Sequence, residues 1–244
     1  MKVSDIMHRI TLPLCALAAL LAGAANAAEP SFVSAEQTQV LRLLATPPAA
    51  GSATTLRELA DLHRLEETRT AEQAAQAVAD DKNETIFIYR NVIGAGFTAQ
   101  ALPATAAFSA RVKNDEGINT NPAKQGFARV RPYNLDKSLH PICATKTKND
   151  SYPSGHTTAG YILALSLIDM VPEKRDAILA RADDYANNRL VCGVHYASDL
   201  EASKLLAYTI HAVMANNPQY QKELAVARLE LRRSLGLPPA SNSN

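Results

Sequence analysis

The chain has 244 residues and carries 25 basic and 24 acidic side chains, for a formal net charge of +1. A charge this close to zero gives no overall field favouring nucleic acid or an anionic membrane, so neither partner is expected and any anion must be held by a local site. The length suits one domain with a single large core.

The amino terminus has the pattern of a secretory signal. Basic residues precede an almost unbroken apolar run over residues 10–24, and Ala25-Asn26-Ala27 fits the small-x-small cleavage rule. A membrane anchor is disfavoured, because this run is shorter than the roughly 20 residues that span a bilayer. We therefore expect residues 1–27 to be removed and the mature protein to be periplasmic.

The mature part is expected to form a single helical domain over residues 28–238, followed by a disordered Pro/Ser/Asn tail at residues 239–244. After signal removal it holds two cysteines, Cys143 and Cys192. An even number of cysteines in an exported chain suggests a disulfide between them. Two buried thiols are the alternative.

Helical signals fill the first part of that domain. Residues 34–45 are typical of a short helix with an apolar side. Capping boxes, in which a threonine is followed three residues later by Glu or Gln, predict two further helix starts. These pairs are Thr55 with Glu58 and Thr70 with Gln73.

A glycine motif follows. Residues 86–89 could form a strand, and residues 94–99 match G-x-G-x-x-G/A with Asp115 about twenty residues further on, as in a dinucleotide-binding unit. A Rossmann domain needs further alternating strands and helices, for which the rest of the chain gives no signal. We favour a helix interrupted by small residues that allow close packing.

The second half of the chain predicts a series of helices. Residues 161–168 are apolar nearly all round, which suits a buried helix, and another helix is expected to begin near Pro172. A helix after Asp199 is expected to end at residues 216–218. A last helix is expected over about residues 219–235.

Three separated groups of polar residues lie between residues 124 and 199. They supply three cations, two imidazoles, one hydroxyl and one carboxylate, and they are Lys124 with Arg131-Pro132, Pro153-Ser154-Gly155-His156, and Asn188-Arg189 with His195 and Asp199. Phosphoryl transfer depends mainly on in-line positioning and on stabilising charge at the phosphate oxygens. These residue types are suited to binding a phosphate dianion and attacking it without a metal ion.

The second group directly precedes the predicted buried helix. Ser154 is a natural N-cap, and Gly155 lets the backbone approach a ligand closely. The N–H groups and the positive dipole end of the helix would face an oxyanion. This pattern predicts where a phosphate would bind.

The third group predicts a nucleophile. His195 and Asp199 are four residues apart, which places them on one face if the helix begins at or before His195. A carboxylate hydrogen-bonded to one ring nitrogen would fix the tautomer and leave the lone pair of the other nitrogen free to attack. Arg131, held extended by the proline after it, and Arg189 would bind oxygens, and Lys124 would add a point charge.

The patterns K-x6-R-P, P-S-G-H and (S/N)-R-x5-H-x3-D resemble the signature of the type 2 phosphatidic acid phosphatase superfamily, which also includes vanadium haloperoxidases. The wider sequence at residues 151–157 and 192–199 is similar to the bacterial class A non-specific acid phosphatases. The resemblance spans roughly residues 89–221. It implies an all-α, single-domain helical bundle that hydrolyses phosphate monoesters through a phosphohistidine intermediate, with no metal and no cofactor.

Carried over by motif position, the resemblance implies that His195 is the nucleophile, Asp199 its orienting partner and His156 the general acid. The residues implied to bind phosphate are Lys124, Arg131, Ser154, Gly155 and Arg189. Small phosphomonoesters would be the substrates, inorganic phosphate or vanadate would also bind, and a homo-oligomer is left open. Asn188 replaces the serine common in relatives, and Tyr196 replaces a tryptophan, which would alter the rim of the pocket.

Two other functions remain open at this stage. A vanadium-dependent haloperoxidase would use the same kind of cradle. A non-catalytic periplasmic phosphate-binding protein would use the arginines and Ser154 equally well, but His195 with Asp199 would be superfluous in it. The enzymatic reading needs His156 protonated and His195 neutral, which predicts a bell-shaped pH profile on the acid side of neutral.

Overall fold

The computed structural model describes residues 31–145 and 148–239, and every regular element in these two ranges is helical. The whole of the predicted signal, residues 1–27, and all but the first residue of the predicted tail therefore lie outside the described residues. The expected all-α fold is confirmed. The α-helices are α1 Ala35–Thr38, α2 Val40–Leu43, α3 Ala53–Thr68, α4 Ala71–Asp81, α5 Arg90–Ile93, α6 Pro103–Phe127, α7 Pro132–Leu135, α8 Gly155–Met170, α9 Arg175–Val191, α10 Ala197–Met214 and α11 Pro218–Ser234.

The predicted buried helix is α8, and it lies at the centre of the fold. It packs against α6, α9, α10 and α11, and its side chains are buried on every side from Thr157 to Leu167. Two of its neighbours approach closely, because Gly160 lies against the ring of Tyr185 from α9 and its carbonyl accepts a hydrogen bond from the hydroxyl of Tyr89. With α8 fixed from all sides, the first turn of this helix has a defined position.

The longest helix, α6, covers 25 residues and includes the polar residues 113–122, for which the sequence predicted no helix. Its buried Asp115 accepts hydrogen bonds from the backbone N–H groups of Phe32 and Val33, at 3.1 and 2.6 Å. Burial raises the pKa of this carboxyl to about 6. Asp115 therefore fastens the amino-terminal segment and has no part in a dinucleotide site.

The amino-terminal predictions are partly wrong. Residues 34–45 form two single turns, because Gln39 adopts a left-handed conformation with φ 45° between α1 and α2. The capping box at Thr55 and Glu58 does not form: Ser52 is the N-cap of α3, accepting from the N–H of Thr55, and Glu58 is buried inside the helix. The capping box at Thr70 and Gln73 is confirmed at the start of α4.

The glycine motif forms neither a strand nor a close helix packing. Residues Ile86–Tyr89 are a 3₁₀ turn that continues into α5, and the chain then turns at Gly94, which has φ 135°. A Cβ added to Gly94 or Gly96 would meet no atom within 4 Å. These glycines permit a change of chain direction, and the dinucleotide-binding and close-packing interpretations are both wrong.

The later helices agree with the sequence. A 3₁₀ turn at Pro172–Lys174 leads into α9, and α10 and α11 lie where they were expected. Cys143 and Cys192 form a disulfide with Cα atoms 5.3 Å apart, joining the loop before the second polar group to the end of α9. None of the helices in the described part of the chain is long and apolar enough to cross a membrane.

The contact between α8 and α9 gives a stability prediction. A Cβ at Gly160 would lie 2.6 Å from the buried ring of Tyr185, so Gly160→Ala is expected to destabilise the protein by about 1–3 kcal/mol through overpacking. The control is Gly117→Ala within α6, where a Cβ meets nothing nearer than 3.9 Å and should gain up to about 1 kcal/mol of helix propensity. Urea unfolding of both variants measures the difference, and equal stabilities would contradict the packing.

Candidate active site

The polar groups predicted from the sequence converge on one pocket of about 420 Å³. Six of the eight predicted site residues line it, while Asp199 lies behind His195 and Ser154 is buried beneath the wall. The wall also contains acidic and polar residues that no motif indicated. The lining residues are Asp81, Glu84, Glu116, Asn121, Lys124, Arg131, Ala144, Gly155, His156, Arg189 and His195.

His195 and Asp199 are in contact, as predicted. The prediction that they share one face of a helix is wrong. Nδ1 of His195 lies 3.1 Å from Oδ2 of Asp199, but α10 begins only at Ala197, so the two residues do not share a helical face. Asp199 is the third residue of α10 and folds back over the helix start, where its Oδ2 also accepts from the N–H of Tyr196 at 3.0 Å. The capping carboxylate is therefore the one that orients the histidine.

The neighbours of His195 determine its tautomer. Nη1 of Arg131 lies 2.8 Å from Nε2 of the ring, and a guanidinium can only donate, so Nε2 carries the lone pair. Nδ1 then carries the proton and donates a hydrogen bond to Asp199. Burial lowers the pKa of His195 well below its usual value, and the charges of Arg131, Arg189 and Lys124 lower it further. The ring is neutral, with its lone pair on the side of the cations.

Asp199 is fully buried and accepts four hydrogen bonds. Besides His195 and the Tyr196 amide, the donors are the hydroxyl of Ser151 and Nη1 of Arg129, both at 2.6 Å. Burial raises the pKa of Asp199 to about 6, although Arg129 and the hydrogen bonds oppose the rise. The carboxylate form needed to hold the Nδ1 proton of His195 is thus lost as the pH falls below that value.

Arg129 and Glu58 complete this buried network, and sequence reasoning missed both. Nη2 of Arg129 lies 2.9 Å from Glu58, whose other oxygen accepts from the N–H of Ser198 at 2.6 Å. The guanidinium also stacks 4.0 Å above the ring of Tyr196, which is buried there and does not form the pocket rim as expected. The signal for Arg129 is its position two residues before Arg131, within the span of the first polar group. Glu58 has no such signal, because its spacing from Thr55 predicts a capping box.

The three predicted cations are held by acidic or carbonyl oxygens. Nε of Arg131 donates to Asp150 at 2.9 Å, and Nη1 of Arg189 donates to Asp81 at 2.7 Å. Lys124 contacts the carbonyl of Asp150 at 3.4 Å, and its pKa is lowered by burial and by Arg131.

Arg189 also has one N–H group that donates to no acceptor among the described residues. It is 4% exposed, and its Nε has no hydrogen-bond partner within the described ranges. A buried N–H without an acceptor is costly, which makes this atom a candidate ligand for a phosphate oxygen.

The start of α8 supplies backbone donors. The hydroxyl of Ser154 accepts from the N–H of Thr157 and so caps the helix as predicted, while its own N–H donates to Ser203. Gly155 and His156 contribute the first two N–H groups of the helix, which have no carbonyl partner within it and lie at its positive end. A Cβ at Gly155 would come within 2.5 Å of Oε1 of Glu116, so any larger residue there would displace this carboxylate.

His156 is bound on both of its nitrogens. Nδ1 lies 3.0 Å from Oε1 of Glu84, and Nε2 lies 3.1 Å from the carbonyl oxygen of Asp81. Both partners can accept, so each ring nitrogen of His156 has an acceptor for a proton. Asp81 and Glu84 come from the end of α4 and the loop after it, where the sequence shows no motif.

One group in the described part of the chain has the spacing of metal ligands. It consists of Asp81, Cys143 and Cys192, and the two sulfur atoms are bonded to each other in the disulfide. Thiolates bind metals, whereas disulfide sulfurs do not provide that charge. This group therefore does not offer a ligand set for a metal ion.

Comparison with known proteins shows which family this chain resembles. The family model described as PAP2 superfamily matches residues 103–223. A non-specific acid phosphatase of Providencia stuartii is 32% identical over 79% of this chain and 81% of its own length. An acid phosphatase of Zymomonas mobilis is 28% identical over 84% of this chain and 80% of its own length.

A solved structure has a similar fold. It is a transmembrane PAP2 type phosphatidylglycerolphosphate phosphatase from Bacillus subtilis, with a TM-score of 0.50 and 17% identity over 67% of this chain and 85% of that one. At this identity the likeness concerns the fold alone.

The buried network gives a second stability prediction. Arg129→Met is expected to cost about 3–5 kcal/mol, because it leaves the buried carboxylates of Glu58 and Asp199 without their shared cation. Arg64→Met is the control, since its pair with Asp61 is exposed and worth at most about 1 kcal/mol. Urea unfolding at neutral pH measures both, and a mild effect of Arg129→Met would contradict the network.

Proposed function

The chain belongs to the PAP2 superfamily and is an acid phosphatase, and on that premise we propose that it hydrolyses phosphate monoesters through a phosphohistidine on His195, without a metal ion. One observation carries this proposal. His195 is neutral, its tautomer is set by Asp199 on one side, and its lone pair lies among Lys124, Arg131 and Arg189 on the other.

In the first step the substrate phosphate binds to these cations and to the amides at the start of α8. Its oxygens replace His195 as the acceptor of the Arg131 Nη1 hydrogen bond, which frees the lone pair on Nε2. Nε2 attacks phosphorus, the bond between phosphorus and the ester oxygen breaks, and that oxygen takes a proton from His156. The alcohol leaves, and the phosphoryl group remains on His195.

In the second step water attacks the phosphohistidine. The neutral His156 left by the first step accepts a proton from this water, the bond between phosphorus and Nε2 breaks, and inorganic phosphate forms. Throughout both steps Asp199 accepts a hydrogen bond from the Nδ1–H of His195 and stabilises the positive charge of the phosphorylated ring. The residues return to their starting protonation states.

The positions of the cations in the pocket support a broad substrate range. The cations and helix amides converge on the phosphate, and this supports recognition of the phosphate group more than of the alcohol, hence a broad set of phosphomonoesters. The relatives' names favour a phosphatase over a haloperoxidase, and a binding protein would have no use for an oriented nucleophile. We also infer export to the periplasm from the amino-terminal pattern of residues 1–27.

The first activity prediction concerns His195 and metals. Wild-type protein should hydrolyse p-nitrophenyl phosphate at pH 5–6 in excess chelator, and His195→Ala should lose at least about 10³-fold in kcat. His140→Ala, whose side chain is 79% exposed and outside the pocket, should keep full activity. Turnover that disappears with the chelator and returns with a metal would contradict the metal-free mechanism.

The second activity prediction concerns pH. We expect a bell-shaped profile of kcat/KM with its maximum on the acid side of neutral. The rate falls at low pH because Asp199, with a pKa of about 6, is protonated there and no longer holds the Nδ1 proton of His195. It falls at high pH as His156 loses the proton it must donate. A flat profile from pH 5 to pH 9 would rule out these roles.

A further inference from the structure

The carboxylate of Glu84 lies in the pocket between two cationic groups. Oε1 is 3.0 Å from Nδ1 of His156, and Oε2 is 2.8 Å from Nζ of Lys113 on α6. We propose that Glu84 is the positioning residue of the general acid. It holds Nδ1 of His156 through a hydrogen bond to a carboxylate, so that Nε2 is the nitrogen that offers a proton to the leaving oxygen. This inference rests on the proposed function.

The two hydrogen bonds of His156 differ in strength, and the difference says which proton is transferred. The bond to Glu84 joins opposite charges, whereas the bond from Nε2 goes to the neutral carbonyl of Asp81. Charge-assisted hydrogen bonds are roughly twice as strong as neutral ones. The Nε2 proton is therefore the easier one to redirect, and an ester oxygen that gains negative charge as its bond to phosphorus breaks is a stronger acceptor than a carbonyl.

Lys113 prevents Glu84 from turning away. Because it binds the second oxygen, the carboxylate is held from both sides and keeps one orientation towards His156. Burial would raise the pKa of Glu84, but the hydrogen bonds and charges of His156 and Lys113 outweigh it and lower the pKa to about 2. Glu84 is thus ionised across the whole working range of an acid phosphatase.

The other groups around His156 do not replace this carboxylate. The Asp81 side chain reaches only to 4.0 Å from Nε2 and is already bound to Arg189. The ring of Tyr185 stacks on the imidazole with 6.3 Å between centroids and adds no charge. The remaining charged or titratable groups on the pocket wall are Glu116, Lys124, Arg131, Arg189 and His195.

The hydrogen bond between His156 and Glu84 also explains how the ring passes from acid to base. When Nε2 gives its proton to the leaving oxygen, the electron pair of the broken P–O bond ends on the alcohol. His156 then remains neutral, with its Nδ1 proton still donated to Glu84. This tautomer presents the Nε2 lone pair to the attacking water of the second step. Glu84 thereby serves both the acid and the base function of one ring.

The test is the dependence of Glu84→Gln on the leaving group. A phosphate ester with a poor leaving group, such as glycerol 1-phosphate, needs the proton, whereas the p-nitrophenolate of p-nitrophenyl phosphate leaves well without it. We expect kcat/KM for glycerol 1-phosphate to fall at least about tenfold more than for p-nitrophenyl phosphate.

The ratio of the two kcat/KM values is independent of the folded fraction, since both substrates are measured on one preparation. Glu66→Gln is the matched control: Glu66 makes the same pair with Nδ1 of His140, at 2.8 Å outside the pocket, and its removal should leave the ratio unchanged. Equal losses on both substrates in Glu84→Gln would overturn this role while leaving the phosphatase intact. If the wild type hydrolysed neither ester, the proposed function itself would be the one that fails.

Discussion

The site depends on one buried carboxylate, that of Asp199. It has no access to solvent, and its two oxygens accept hydrogen bonds from an arginine, a serine, a backbone amide and the histidine that we propose as nucleophile. A charge in such a place is tolerated only if it is paired and hydrogen-bonded. The residues that stabilise Asp199 therefore also fix the position of the site. Arg129 connects α3 to α10, because it contacts Glu58 on α3 and Asp199 on α10.

Charge balance explains the rest of the pocket. Lys124, Arg131 and Arg189 would repel one another in a buried pocket, and each of the arginines is held by an aspartate outside the predicted motifs. The two histidines have contrasting surroundings. His195 faces cations and is neutral, whereas His156 has a hydrogen-bond acceptor at each ring nitrogen. Two identical side chains thus have opposite surroundings, as an acid and a nucleophile in one site require.

The sequence was a good guide wherever one residue type has one physical use. Ser154 caps α8, Gly155 lies against the carboxylate of Glu116, and the apolar run after it is buried on all sides. It was a poor guide where tertiary contacts decide. Glu58 looked like a capping residue and is instead the partner of Arg129, which lies 71 residues away in the chain. Glu84 lies in a loop without a motif. Its proposed positioning role depends on contacts with Lys113 and His156, which are distant in the sequence. The link between His195 and Asp199 was predicted for a helical reason, but the helix starts too late, and a capping carboxylate makes the contact.

The central claim is that the phosphoryl group passes through His195. The most direct measurement is to quench the wild-type enzyme within milliseconds of mixing with a phosphate ester, digest it under alkaline conditions that preserve phosphohistidine, and locate the phosphoryl group by mass spectrometry. The account predicts a phosphoryl adduct on the peptide containing His195, formed and lost at rates consistent with turnover. A steady turnover with no adduct on that peptide, or with the adduct on another residue, would contradict it.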